Sequence, residues 1–220
     1  LSQRLRLVAL DRELAEQQVN DRPAFFAALG VEREPAWPPE LMDTAAMEWN
    51  RDGLAAHPDH VGWYSWVYVS PIMNRLLGIG GFQGAPSAGG EVEIGYSMLV
   101  SYREQGLATE AVNALMGWAY GHETVKRVIA RTRCERSPSH RVLEKAGFKQ
   151  VFTQMDLEKW FEGALWSHDW AQLAARAVTL TCCCCLSPPL RPLRCFLRST
   201  PVVCCCSLLT PLVSHSSRRP

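Results

Sequence analysis

The sequence predicts an α+β protein with a central mixed sheet flanked by helices. Three strand-like segments between residues 63 and 100, joined by short turns, predict an antiparallel meander. The apolar period then changes to that of a helix, and a strand, a helix and another strand follow. A helix that connects two strands of one sheet makes them parallel. We therefore expect an antiparallel half of the sheet followed by a parallel crossover.

The segments before the meander predict one strand and three helices. Residues 4–9 alternate polar and apolar side chains, as a first strand does. Asp11 is a suitable N-cap for a helix that runs toward Asn20, and residues 23–29 predict a second short helix. After a Pro-rich loop, residues 41–56 predict a third.

The meander consists of residues 63–69, 76–82 and 91–100, which are rich in aromatic and β-branched side chains or interrupted by glycine. In the third of these segments Glu91 and Glu93 share one face. Strand alternation places Gly95 and Ser97 on that same face.

The crossover helix begins near Gly106, where apolar residues recur at helical spacing, and residues 127–132 form the next short strand. Residues 137–146 predict a helix that ends at Gly147 and is followed by a strand at 149–153. The stretch 156–166 then reads as a helix, with no clear closing strand after it. We expect a domain over 1–165 whose last strand is missing or replaced, with 176–181 as the candidate substitute.

Composition excludes several classes of protein. The chain has 220 residues, is 47% hydrophobic and carries a net charge of +1. A fully disordered chain is excluded by the apolar fraction, and a dedicated nucleic-acid binder is disfavoured by the absence of a basic excess. No apolar run reaches the length of a membrane-spanning helix. We expect neither nucleic acid nor membrane as a partner.

The charge and the cysteines divide the chain in two. Residues 1–165 contain 17 Lys and Arg against 21 Asp and Glu, while residues 166–220 contain six Arg and one acid, Asp169. Eight of the nine Cys lie in the second part, and Cys134 stands alone in the first. One cysteine in a domain is typical of a reducing compartment. Since no signal peptide is visible either, we expect a cytoplasmic protein.

Residues 166–220 form a Cys-, Pro-, Ser- and Leu-rich tail of low complexity that we expect to be disordered. Five prolines interrupt it, and its contiguous cysteines lack the paired spacing of zinc ligands. Palmitoylated anchoring and metal binding are the functional interpretations. We favour a non-selected sequence, such as translated non-coding DNA, and expect no metal site.

The segment 102–111, Y-R-E-Q-G-L-A-T-E-A, is the most informative for function. It lies between a strand and the beginning of a helix, where unpaired backbone N–H groups and the helix dipole attract anions. Gly106 and Ala108 leave room for a phosphate to reach the backbone, and Arg103 offers a charge-assisted contact. An ordinary strand-to-helix turn would use the same small residues.

R-E-Q-G-L-A-T-E-A resembles the Arg/Gln-x-x-Gly-x-Gly/Ala signature of the GNAT family of N-acetyltransferases. Two further segments resemble the family, and in particular its ribosomal-protein-alanine acetyltransferase branch. They are V-E-I-G-Y-S-M-L before the loop and S-P-S-H-R-V-L-E-K-A-G-F after it. The likeness extends from about residue 5 to about residue 152.

The resemblance implies acetyl-CoA as donor, an amine as acceptor and direct transfer without an acyl-enzyme. It implies that the backbone at the end of the fourth strand pairs with the pantetheine arm and that the loop amides hold the pyrophosphate. The corresponding residues here are Met98, Leu99, Val100, Arg103, Glu104, Gln105, Gly106, Leu107, Ala108 and Thr109.

Glu93 is the candidate general base, because crowding by Glu91 favours a carboxylate that takes up a proton. Two solvated strand residues would look the same. The family's common acid, a tyrosine, is replaced by Leu143, and the resemblance to the ribosomal-protein branch points to Ser139 instead. The Asn that often precedes this serine by three is Arg136 here. His140 is interpreted as an exposed helix residue.

Two functional hypotheses stay open from the sequence. The first is an acetyl-CoA-dependent N-acetyltransferase acting on a protein N-terminus or a small amine. The second is a non-catalytic or degenerate homologue with a truncated fold that binds CoA weakly or not at all. Trp37, Trp49, Trp63 and Trp66 fall in the segments that form the acceptor side in this family, either as pocket lining or as core. The sequence does not define the oligomeric state.

Overall fold

The computed structural model describes residues 4–133, 137–156 and 161–169. Two 3₁₀ turns, Pro58–His60 and Val100–Tyr102, accompany the helices and strands. These are, in chain order, β1 Arg6–Ala9, α1 Arg12–Asn20, α2 Arg22–Leu29, α3 Thr44–Ala56, β2 Ser65–Ser70, β3 Arg75–Phe82, β4 Glu91–Met98, α4 Leu107–Ala119, β5 Arg127–Arg133, α5 Pro138–Lys145, β6 Lys149–Asp156 and β7 Phe161–Asp169.

The strands form one seven-stranded mixed sheet in the order β1-β2-β3-β4-β5-β7-β6. Strands β1 to β4 pair antiparallel in chain order, with β2 to β4 as the meander, and β7 is antiparallel to both of its neighbours, β5 and β6. The two halves meet at β4 and β5, which are parallel because α4 crosses over between them. The predicted α+β class and mixed sheet are confirmed.

Each face of the sheet is covered by its own hydrophobic core. On one face α4 and α5 pack through residues such as Leu107, Leu115 and Leu143. On the other face the three N-terminal helices pack through residues such as Phe25 and Leu54. Because β4 alternates, Val92 and Ile94 enter the core under α4, and the odd-numbered residues face the N-terminal helices.

Aspartates set the beginnings of the first three helices. The carboxylates of Asp11, Asp21 and Asp43 accept hydrogen bonds from backbone N–H groups one turn into α1, α2 and α3. The cap at Asp43 explains why α3 begins at Thr44 instead of near residue 41. Leu41 has a left-handed φ of 71° and belongs to the loop before the helix.

The prediction of a helix over 156–166 without a closing strand is wrong. Strand β7 pairs with β5 from Arg127↔Asp169 to Arg133↔Gly163 and with β6 on its other side. The stretch combines residues of good helix propensity, but pairing with two neighbouring strands outweighs that weak preference. Ala164 and Trp166 are buried accordingly. The sheet therefore has its closing strand, and the fold is not truncated at this point.

Strand β7 also runs through residue 165, the position at which the sequence suggested a domain end. The strand continues to Asp169, and the position of the domain boundary stays a prediction. Residues 170–220, with the candidate strand 176–181 and the cysteine runs, lie outside the described residues. Among the described helices, none combines the length and the apolar character needed to cross a bilayer.

Replacing Trp166 with alanine is expected to lower the free energy of unfolding by about 3–5 kcal/mol. Its indole is 3% exposed, and its Nε1 donates a hydrogen bond to Thr132 Oγ1 at 3.0 Å. Urea denaturation of the full chain measures the change. Val151→Ala on β6 is the control, since Val151 is exposed and its truncation should cost no more than about 0.5 kcal/mol. Equal stability of the two variants would contradict the position of β7.

Candidate functional site

The parallel strands β4 and β5 separate after a short paired stretch. They pair only at Glu91↔Arg127, Val92↔Val128 and Glu93↔Ile129, although β4 continues to Met98 and β5 to Arg133. Both strands keep their outer partners, β3 and β7, over the remaining length. The result is an opening in the middle of the sheet that exposes a strand edge on each side.

Alternation of the backbone decides which groups of β4 face this opening. The carbonyl of Glu93 accepts from Gln83 N–H, and Leu99 N–H donates to the carbonyl of Leu77, both at 3.0 Å toward β3. Odd-numbered residues therefore direct their N–H and C=O groups to β3, and Tyr96 and Met98 direct theirs to the opening. Of the three residues predicted to pair with a ligand, Met98 faces the opening and Leu99 uses its amide within the sheet. Val100 begins the 3₁₀ turn and is exposed.

The loop between β4 and α4 presents a helix N-terminus at the open end. Gly106 has φ +76°, and no side chain of the described residues caps α4. The side chain of Leu107 is buried in the core and fixes the beginning of the helix. The first-turn N–H groups of Leu107, Ala108 and Thr109 have no intrahelical acceptor, and such an arrangement of N–H groups attracts anions. Glu104, with φ +63°, and Gln105 complete the exposed loop.

Two arginines stand near this loop, and they differ in orientation. Arg103 donates through Nε to the Met98 carbonyl at 3.1 Å and through a terminal nitrogen to the Glu40 carboxylate at 2.8 Å. Arg4 donates a hydrogen bond to the Gln105 carbonyl at 3.0 Å and forms an ion pair with Glu110. One of its terminal nitrogens also lies close to Gly106, 3.6 Å from the position that a Cβ atom would take on that residue. The sequence pointed to Arg103 as the contact for a phosphate, and the structure brings Arg4 beside the loop as well.

A cavity of about 820 Å³ occupies the opening and the space between β4 and α3. Its floor is formed by Gly80 and Gly81 of β3, by residues 94–97 of β4 and by residues 130–132 of β5. Leu41, Met42, Ala46, Trp49 and Asn50 form one wall, and Ser137, Ser139 and Leu143 form the other. The cavity thus extends across both faces of the divided sheet.

Glu93 lies beside the cavity, behind two residues that line it. Its carboxylate accepts a hydrogen bond from Gln83 Nε2 at 3.2 Å and pairs with a terminal nitrogen of Arg131 at 2.5 Å. Glu91 lies 3.6 Å from Arg127. The two carboxylates share a face as predicted, but each has an arginine partner. The prediction from crowding did not include these arginines: Arg127 lies opposite Glu91 in the strand register, and Arg131 reaches Glu93 from two residues beyond its register partner Ile129.

Two hydroxyl groups lie near the first turn of α5, one from Ser139 in the helix and one from Tyr96 on β4. Ser139 lines it, and the backbone carbonyl of Ser139 accepts a hydrogen bond from Tyr96 Oη at 3.1 Å. Burial raises the pKa of Tyr96 well above its ordinary value, and the hydrogen bond to Ser139 opposes this only in part. Tyr96 therefore keeps its proton at neutral pH. Leu143 is fully buried and offers no polar group.

A second polar cluster near α5 was missed by the sequence analysis. The Thr132 hydroxyl lines the cavity, accepts a hydrogen bond from Trp166 Nε1 and lies 2.9 Å from His140 Nε2. The interpretation of His140 as an exposed helix residue is wrong, since it is half-buried beside the Trp166 ring. No signal in the sequence connects these positions, because β7 brings them together.

The four tryptophans of the expected acceptor side have different positions. Trp37 and Trp63 are core residues, and Trp66 is half-buried. Trp49 is 50% exposed and lines the cavity. Only this one of the four contributes to the cavity wall as the structure describes it.

Comparison with known proteins identifies the class. A family model described as an acetyltransferase (GNAT) domain matches residues 4–149. The chain is 31% identical over 157 residues to YjdG of Bacillus subtilis strain 168, an uncharacterised N-acetyltransferase, covering 71% of this chain and 93% of that protein.

Solved structures show the same fold. The ribosomal-protein-S5-alanine acetyltransferase of Vibrio fischeri has a TM-score of 0.53 and 16% identity, covering 76% of this chain and 93% of that one. The microcin C7 self-immunity acetyltransferase MccE, in complex with acetyl-CoA and AMP, has a TM-score of 0.53 and 15% identity over 76% and 92% of the two chains.

The chain belongs to the GNAT family of acetyltransferases and is an N-acetyltransferase. The family resemblance stated from three sequence motifs is confirmed.

Replacing Gly95 with valine is expected to lower kcat/KM for acetyl transfer at least about tenfold with little effect on folding. A Cβ at Gly95 meets no atom within 4 Å, and the residue lines the cavity, so the new side chain projects into the space that the reactants need. Stability should change by no more than about 1 kcal/mol, since strands favour valine.

Release of the CoA thiol measures this activity, and urea denaturation measures the stability. Gly117→Ala on α4 is the control, because Gly117 also has open space around its Cβ position but lies outside the cavity. Unchanged turnover by a folded Gly95→Val protein would show that the reaction takes place elsewhere.

Proposed function

We propose that the protein transfers the acetyl group of acetyl-CoA directly to a primary amine. The observation that carries this proposal is the opening between β4 and β5, which leads to the uncapped N-terminus of α4. An extended pantetheine arm fits a free strand edge, and a pyrophosphate fits unpaired N–H groups at a helix N-terminus. The first-turn amides of α4, with the loop from Arg103 to Thr109, would hold the pyrophosphate.

The edge of β4 would hold the pantetheine arm through Tyr96 and Met98, whose backbone groups face the opening. Arg103 supports this edge through its hydrogen bond to the Met98 carbonyl. Arg4 lies close enough to Gly106 to add positive charge beside the phosphates. The bound acetyl thioester supplies the group to be transferred.

Glu93 is the proposed general base. An amine arrives as an ammonium ion and must lose a proton before its nitrogen can form a bond to the acetyl carbon. Gln83 and Arg131 stand between Glu93 and the cavity. Under this proposal the proton would reach Glu93 through a water molecule beside these side chains.

Ser139 is the proposed acid that returns a proton to the CoA sulfur when the carbon–sulfur bond breaks. The serine lines the cavity in the first turn of α5, where the helix dipole also favours negative charge. The Tyr96 hydroxyl is the second donor at this position, and it fixes the Ser139 backbone through its hydrogen bond. Direct transfer requires no covalent enzyme intermediate.

The acceptor is a protein N-terminus or a small amine under this proposal. The motif around Ser139 supports the ribosomal-protein-alanine branch, and a cytoplasmic location stays a prediction from the sequence. The alternative of a degenerate homologue rested on a truncated fold, and strand β7 removes that argument. The cavity and the loop give no separate reason to favour a non-catalytic role.

Glu93→Gln is expected to lower kcat about 100-fold or more while leaving the Kd for acetyl-CoA unchanged, because the base acts on the amine and not on the donor. Calorimetry on the full chain measures acetyl-CoA binding, and thiol release with an amine acceptor measures turnover.

Glu91→Gln is the matched control, since Glu91 shares the face and the arginine pairing of Glu93 but lies at the closed end of the strand pair. It should keep most of the activity. An equal loss in both variants would contradict the role of Glu93, and failure of the folded wild-type protein to bind acetyl-CoA would overturn the proposed function.

A further inference from the structure

We infer that the acceptor is a primary monoamine that carries a bulky apolar group a few bonds from its nitrogen, such as a 2-arylethylamine or a peptide with an apolar first residue. This inference rests on the proposed function and specifies its acceptor. The observations that support it are the cavity wall formed by α3 and the loop before it, and the pairing of the charges around the cavity.

The wall contains large apolar side chains that the fold leaves uncovered. Leu41 is 81% exposed and Trp49 is 50% exposed, and both line the cavity together with Met42 and Ala46. Exposed apolar groups gathered in a concave site are typical of a surface that binds apolar ligand groups. The Trp49 ring packs against Tyr64 at a centroid distance of 5.4 Å, so it is held in place before any ligand arrives.

The loop that carries Leu41 is fastened to the site. The Glu40 carbonyl accepts a hydrogen bond from Ser97 Oγ on β4, and the Glu40 carboxylate pairs with Arg103 at 2.8 Å. These contacts hold Leu41 in a left-handed conformation that a leucine rarely adopts. Its side chain is therefore presented to the cavity by the structure of the loop.

The charges around the cavity do not favour an acceptor with several positive charges. Among the described lining residues, the acidic and basic side chains are Glu40 and Arg131. Glu40 is paired with Arg103, and Glu93 beside the cavity is paired with Arg131. A second ammonium group on the acceptor would meet carboxylates that already have cationic partners, whereas an apolar group would meet Trp49 and Leu41.

The test compares acceptors with the full chain and acetyl-CoA. We expect kcat/KM for 2-phenylethylamine to exceed that for ethanolamine and for spermidine by about 10- to 100-fold, from burial of the aromatic group. A short peptide that begins with phenylalanine, compared with one that begins with glycine, distinguishes a peptide N-terminus from a small amine as the source of this group.

Trp49→Ala should raise KM for 2-phenylethylamine about tenfold or more and change kcat/KM for ethanolamine less than threefold. Ile72→Ala is the control, because Ile72 is 90% exposed and does not line the cavity, and its kinetics should match the wild type. Both variants should bind acetyl-CoA with unchanged Kd. A loss in Trp49→Ala that is equal for all acceptors would indicate a structural role for the ring and overturn the inference.

The inference and the proposed function fail differently. If acetyl-CoA does not bind, the proposed function fails and the inference fails with it. If acetyl-CoA binds and kcat/KM for ethanolamine or spermidine equals that for 2-phenylethylamine, the inference is wrong and the proposed function stands. Binding of acetyl-CoA without acetylation of 2-phenylethylamine or of the phenylalanine peptide also overturns it.

Discussion

The site depends on the fact that β4 and β5 share a sheet but pair over only three residues. A parallel pair at the centre of a sheet ordinarily continues along both strands, since unpaired backbone groups are costly away from water. Here each strand keeps its outer neighbour, so the two edges stay extended while they face each other across a gap. On the proposed function, an extended ligand in the position of the missing strand segment would pair with the backbone groups of Tyr96 and with the Met98 amide, while the Met98 carbonyl already accepts from Arg103 Nε.

The second half of the sheet is what makes this opening stable. Strand β7 pairs with β5 over its whole length, from Arg127 to Arg133, and so holds β5 in position after it leaves β4. It also places Trp166 against Thr132 and His140, at the base of α5. The closing strand is therefore part of the site as well as of the fold, because it fixes the wall that carries Ser139.

The sequence predicted those features that depend on local physics. Helical periods, the aspartate cap at Asp11 and strand alternation in β4 are local, and the elements they define are present. Strand β7 was missed because its state is determined by two neighbouring strands and not by its own residues. Trp49 could not be distinguished from the core tryptophans, since exposure depends on what packs against a side chain. Arg4 was missed because nothing near it in sequence marks the loop around Gly106.

The pairing of glutamates with arginines beside the cavity affects both which amine binds and how readily that amine loses its proton. Had Glu91 and Glu93 repelled each other, the cavity would carry an uncompensated negative charge that attracts ammonium ions. Arg131 pairs with Glu93, Arg127 is shared between Glu91 and the nearer Asp169, and the wall of Leu41 and Trp49 replaces water with apolar surface. Such surroundings favour the neutral form of an amine over the ammonium ion. On the proposed function, a cavity with this apolar wall favours an apolar monoamine and at the same time helps its nitrogen to lose the proton that blocks attack on the acetyl group.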